Sequence, residues 1–111
     1  MTQIEMPERY PEVAGHQDTW TSRQAALTTP AKTLRGIVTK AYVESDRLMT
    51  ADECADLIGR SLLSIRPRVT ELKRLGMLHT TGETRKNVSG KQADVMIPTE
   101  LARQWYRRLE D

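Results

Sequence analysis

The stretch TADECADLIGRSLLSIRPRVTELKRLGML, residues 50–78, reads as two short amphipathic helices joined by a turn. Its first four residues form a capping box. Thr50 is the N-cap and Glu53 sits at N3, so that each side chain satisfies the other residue's orphan N–H. That helix, 51–58, is expected to carry Cys54, Leu57 and Ile58 inward and to stop at Gly59. Residues 60–63 then form a link, with Leu62 filling the corner. The second helix raises the harder question, because Pro67 stands inside it. A proline costs about 3 kcal/mol in a helix interior but little in the first turn, where the N–H has no intrahelical partner. Taking Ser64 as N-cap makes Ile65 N1, Arg66 N2 and Pro67 N3, and starts the helix of 64–75 there. Ile65, Val69, Leu72 and Leu75 then share one face, and Gly76 suits the C′ position. Arg66 and Arg68 fall in the first turn, off the apolar face. The helix dipole disfavours positive charge there, so the two arginines need another reason.

Upstream, Thr29-Pro30 is a helix-start signal, and Leu34, Ile37, Val38, Ala41 and Tyr42 repeat with helical spacing. This predicts a helix over 30–44, broken at Ser45-Asp46, with a short strand segment at Leu48. Before it, TSRQAAL (21–27) predicts a short helical turn capped by Thr21 or Ser22. Residues 1–20, interrupted by Pro7 and Pro11, read as an arm with little regular structure, laid on the domain by Trp20. Downstream of Gly76 the period changes to two. Residues 77–83 and 93–97 flank the turn formers Asn87 and Ser89-Gly90, a hairpin with a basic tip. Pro98-Thr99 opens a last helix, 100–109. Leu101, Ala102, Trp105 and Leu109 lie on its apolar face and Tyr106 at its edge. The chain is therefore expected to be mainly α with a small β-hairpin, one domain over residues 21–111.

The 111 residues suit one domain, and 38% hydrophobic content gives it a small core. The single cysteine forms no internal disulfide. No apolar run approaches the roughly 20 residues that span a bilayer, and MTQIEMPERYPE lacks signal-peptide order, so the expectation is a cytoplasmic protein with no membrane partner. Cys54, His16 and His79 are far apart in sequence, without metal-ligand spacing. No glycine-rich phosphate loop and no nucleophile–base arrangement stands out. Neither cofactor nor enzymatic activity is expected. The acids Asp52, Glu53 and Asp56 are explained by helix capping.

Charge is distributed unevenly. Residues 60–91 hold eight basic residues (Arg60, Arg66, Arg68, Lys73, Arg74, Arg85, Lys86, Lys91) against Glu71 and Glu83, while the whole chain carries only +2. Such asymmetry is a cue for nucleic acid.

The run LMTADECADLIGRSLLSIRPRVTELKRLGML followed by a basic hairpin resembles the winged helix-turn-helix family, over roughly residues 33–98. TSRQAA is also similar to stretches in small phage-encoded winged-helix proteins. The resemblance implies a three-helix core plus wing with an additional C-terminal helix. It also implies a double-stranded DNA-binding protein, a small transcriptional or phage-replication regulator. The third helix would lie in the major groove and the wing on the backbone. Carried over by position, Ser64, Arg66 and Arg68 would face the groove, where arginine forks read guanine. Lys73 would reach phosphate, and Arg74 is equally suited to pair with Glu71. Arg85, Lys86 and Lys91 crowd the wing tip, where like charges cost energy unless a polyanion neutralises them. Thr50 and Ser61 are already explained as cap and turn residues. Trp105 is either core against the first helix or part of a WYRRL end that exposes Trp105 or Tyr106 in a homodimer through the C-terminal helix, and the dimer is preferred. Some family members are protein-interaction modules, which is the alternative reading.

Overall fold

A computed structural model describes residues 19–45 and 47–110. The arm, residues 1–18, and the Trp20 side chain lie outside the described residues. The elements in chain order are α1 (Thr19–Leu27), α2 (Leu34–Glu44), α3 (Ala51–Ile58), α4 (Leu62–Arg74), β1 (Leu78–Lys86), β2 (Gln92–Pro98) and α5 (Glu100–Glu110). Helices α2, α3 and α4 pack as a three-helix core, β1 and β2 pair as an antiparallel wing, and α5 lies against α1. This is a winged helix-turn-helix with an additional C-terminal helix.

Capping explains most boundaries and corrects three of those expected. Helix α1 begins at Thr19, ahead of the expected 21. Helix α2 begins at Leu34, not at residue 30. Thr29 instead lies in the link just after α1, where its Oγ1 donates to the Ala25 carbonyl (3.1 Å) and its N–H to that of Ala26 (3.2 Å). The true N-cap is Thr33, whose Oγ1 accepts from the Gly36 N–H at 3.2 Å. Gly36 is buried against the turn before it. A Cβ there would meet the carbonyl oxygen of Pro30 and lie 2.7 Å from that of Ala31.

The capping box of α3 is formed in full, Glu53 N–H to Thr50 Oγ1 at 3.1 Å and Thr50 N–H to Glu53 Oε1 at 3.0 Å. The helix ends at Gly59 in the left-handed conformation (φ 69°). Cys54 is fully buried, but Leu57 is 52% exposed rather than inward. The buried face runs through Cys54 and Ala55 with Ile58 packed beside it, and a 100° step per residue puts Leu57 past its edge.

Helix α4 starts three residues earlier than expected. Ser61, not Ser64, is its N-cap, its Oγ accepting from the Leu63 N–H at 3.1 Å. Pro67 is consequently the sixth helical residue and interior. It supplies no N–H for the Leu63 carbonyl, but both residues lie on the exposed side, where water can take that bond. Ile65, Val69 and Leu72 set the buried face as expected. That face leaves Leu62 at 39% exposure, so it does not fill the corner, and turns Leu63 out to 83%.

The wing strands pair from Leu78↔Pro98 to Lys86↔Gln92, with a register shift between Thr80 and Thr84 where Gly82 has φ 92°. The tip is closed by Asn87 N–H to the Lys91 carbonyl (2.8 Å) and Gly90 N–H to Asn87 (2.9 Å). The short strand expected near Leu48 is a single bridge at Met49. Its carbonyl accepts from the Met96 N–H (2.8 Å) and the Tyr42 hydroxyl (3.1 Å), fastening the wing to α2. Thr99 starts α5, accepting from the Ala102 N–H while its hydroxyl donates to the Gly76 carbonyl at 2.5 Å. Trp105 is 1% exposed, in the same core as Val38, Tyr42, Ile65 and Leu72. It is thus core, and the expectation that it faces a partner is corrected. Leu109, farther along the same helix, is 40% exposed.

Candidate nucleic-acid interface

With Ile65, Val69 and Leu72 buried, helical geometry divides the rest of α4 into two flanks and a crest. Arg66, Thr70 and Lys73 form one flank. With Asp52 from α3 and Asn87 and Asp94 from the wing, they line a cleft of about 220 Å³. Ser64, Arg68 and Glu71 form the other flank, where Arg68 and Glu71 face Arg35 of α2. Leu63, Pro67 and Arg74 form the crest. Because α4 begins at Leu62, Arg66 and Arg68 lie beyond its first turn, and the dipole no longer counts against them.

Three of the eight cations of residues 60–91 are held in ion pairs with described residues. Arg66 grips Asp52 with two bonds, Nε to Oδ1 at 2.8 Å and NH2 to Oδ2 at 2.7 Å, across α4 and α3. These bonds hold the Asp52 carboxyl below its ordinary range. Glu71 accepts from Arg35 Nε at 2.8 Å and from Arg68 NH2 at 2.7 Å. The bond from Arg35 is the main reason its carboxyl is also held low. Glu71 is therefore the partner of Arg35 and Arg68, not of Arg74. The Nε of Arg68 is buried without a hydrogen-bond partner. Arg85 donates through NH1 to Glu53 Oε1 at 2.6 Å, so its charge is neutralised within the chain. It lines a separate cleft of about 430 Å³ with Arg47, Leu48 and Leu57.

Arg60, Lys73, Arg74, Lys86 and Lys91 are exposed and form no ion pair with a described residue. The structure thus brings Arg66 and Lys73 to the cleft beside the wing, leaves Lys86 and Lys91 beside its tip, and separates Arg68 and Arg85 from that cleft. Ser64 is exposed on the α2 flank. Sequence reasoning did not foresee Asp52, Arg35, Asn87 or Asp94 at these places. The partners of Arg35 and Asp52 lie 36 and 14 residues away, so no local spacing marks those two, and Asn87 is marked by the sequence only as a turn former.

No family model and no curated protein sequence matches the chain. A solved structure does. It is a protein of Methanosarcina mazei Go1 named "Possible transcriptional regulator", similar with a TM-score of 0.54 and 13% identity over 83% of this chain and 79% of that one. At that identity the likeness is one of fold. Among the described residues no helix is long and apolar enough to cross a membrane.

Proposed function

We propose that the chain binds double-stranded DNA as a small regulator of transcription or of phage replication. Helix α4 enters the major groove and the wing rests on the backbone. The observation that carries this reading is the set of five cations that the described residues leave unpaired, Arg60 in the turn before α4, Lys73 and Arg74 on α4, and Lys86 and Lys91 on the wing. In this reading Lys73, Lys86 and Lys91 contact phosphates, with Arg60 and Arg74 on the flanking backbone, and Ser64 lies near the groove-facing start of α4. Arg68 and Arg85 join only by giving up Glu71 and Glu53. The name of the Methanosarcina protein is in keeping with this role. A homodimer through α5 would be built on Leu109, since Trp105 is buried.

Titrating a random duplex by fluorescence anisotropy at several salt concentrations tests the reading. Log K should fall linearly with log salt, by about 0.9 per neutralised phosphate, and Lys86→Gln or Lys91→Gln should flatten the slope by about that amount. A second reading, a protein-interaction module, is favoured by the exposed leucines at the helix-turn-helix corner, Leu57, Leu62 and Leu63. It takes over if no duplex binds.

A further inference from the structure

Arg66 lies on the wing-side flank of α4, and its guanidinium is already half engaged. Asp52 accepts from Nε and from one hydrogen of NH2, using both carboxylate oxygens on one edge of the guanidinium plane. A guanidinium has five N–H donors in a fixed fork. Three remain: both on NH1 and the second on NH2. Of these, one on NH1 and one on NH2 point away from the stem side by side. The Arg66 side chain is 48% exposed and that of Asp52 only 18%, and the end-on pair of donors makes no hydrogen bond with a described residue.

We infer that Asp52 is a positioning residue that locks Arg66 so that its free end-on fork reads a guanine in the major groove. The inference rests on the DNA-binding reading above. Guanine presents two acceptors, O6 and N7, on its major-groove edge, and a parallel pair of donors matches both. Adenine at the same place presents one acceptor and one donor and is rejected. An unrestrained arginine has to lose its rotamer freedom on binding, whereas the two bonds to Asp52 already restrict Arg66 in the fold. Asp52 can hold this place because it sits in the first turn of α3, where a carboxylate is favoured by the helix dipole. The same bond puts a negative charge beside the groove. Asp52 therefore opposes sequence-independent attraction to phosphate while it sharpens discrimination.

Selection of duplexes from a random pool, followed by titration of the selected site, tests the inference. The wild type should enrich a guanine. Replacing that guanine with 7-deazaguanine or adenine should weaken binding between about fivefold and about 150-fold. Arg66→Lys, which keeps the charge but loses the planar fork and its two-bond anchor on Asp52, should reduce the discrimination. Asp52→Asn should reduce the discrimination while leaving the affinity for random duplex unchanged or tighter, a split that a merely structural role would not produce. Thermal melts of each variant show whether it is folded, and Arg66→Lys tests the fork even if Asp52→Asn does not fold. A selected site whose discrimination is indifferent to both substitutions overturns the inference and leaves the DNA-binding reading intact. So does an Asp52→Asn protein that loses affinity for selected and random duplexes alike. Failure to bind any duplex overturns both.

Discussion

The indole Nε1 of Trp105 donates a 2.8 Å hydrogen bond to the backbone carbonyl of Thr29, 76 residues earlier. The bond ties the C-terminal helix to the link between α1 and α2. It satisfies the one polar atom of a side chain that is otherwise wholly in the core. Trp105→Ala should destabilise the fold by about 3–5 kcal/mol, and Trp105→Phe, which keeps much of the packing but strands the Thr29 carbonyl, by about 1–3 kcal/mol. Denaturant midpoints measure both. A Trp105→Ala protein as stable as the wild type would contradict the buried position.

Pro67 is interior to α4, so replacing it should restore a hydrogen bond to the Leu63 carbonyl and relieve the contact of its ring with that turn. Pro67→Ala should stabilise the protein by about 1–3 kcal/mol. Ser61→Ala, which removes the N-cap, should cost about 0.5–2 kcal/mol, and Ser64→Ala should cost much less. Urea unfolding of the three variants locates the start of the helix, since a true start at Ser64 would reverse the order of the two serines.

Alanine is a better helix former than glycine by about 1 kcal/mol, yet Gly36→Ala should destabilise the protein. The added methyl meets backbone oxygen atoms of Pro30 and Ala31, which cannot swing aside as a side chain does. Overpacking of this kind costs about 1–3 kcal/mol or more, which outweighs the gain in propensity. A lowered melting temperature, with loss of the α2 start in amide exchange, is the expected result.

The pairings of Asp52 and Glu71 predict a particular acid limb. Both carboxyls bind protons less readily in the folded protein than in the unfolded chain, where they titrate near about 3.9 and 4.3. Their stabilisation is fully present above those values and is lost as the pH falls through the lower folded ones. Stability should therefore decline below about pH 4. Asp52→Asn combined with Glu71→Gln should be less stable at pH 7 and should show a shallower decline below pH 4. Melting temperatures across pH 2–7 check the sign.

The helix seams, the α3 capping box, the hairpin turn and the last helix were legible because each is written in local spacing. Leu34 to Tyr42 and Ile65 to Leu72 declare their faces within a few turns, and Thr50 and Glu53 are three residues apart. The start of α4 was not legible, because Ser61 and Ser64 are both good caps and only tertiary packing chooses between them. Ser61 prevails because a longer helix still points Ile65, Val69 and Leu72 inward, with Pro67 tolerated on the wet side. The candidate interface was half legible. Its excess of positive charge is a matter of counting, but the neutralisation of Arg66, Arg68 and Arg85 depends on contacts with Asp52, Glu71 and Glu53. Two of those three pairs join residues on different elements.

The burial of Cys54 gives the molecule a built-in clock. The thiol is fully covered within α3, and burial pushes its pKa up to about 11, so at neutral pH it offers an electrophile neither access nor thiolate. Alkylation must wait until α3 lifts from α2 and α4, and the chain has no second cysteine to blur the signal. The rate at which a thiol reagent consumes the native protein therefore reads how often the helix-turn-helix comes open, with no mutation and no attached label.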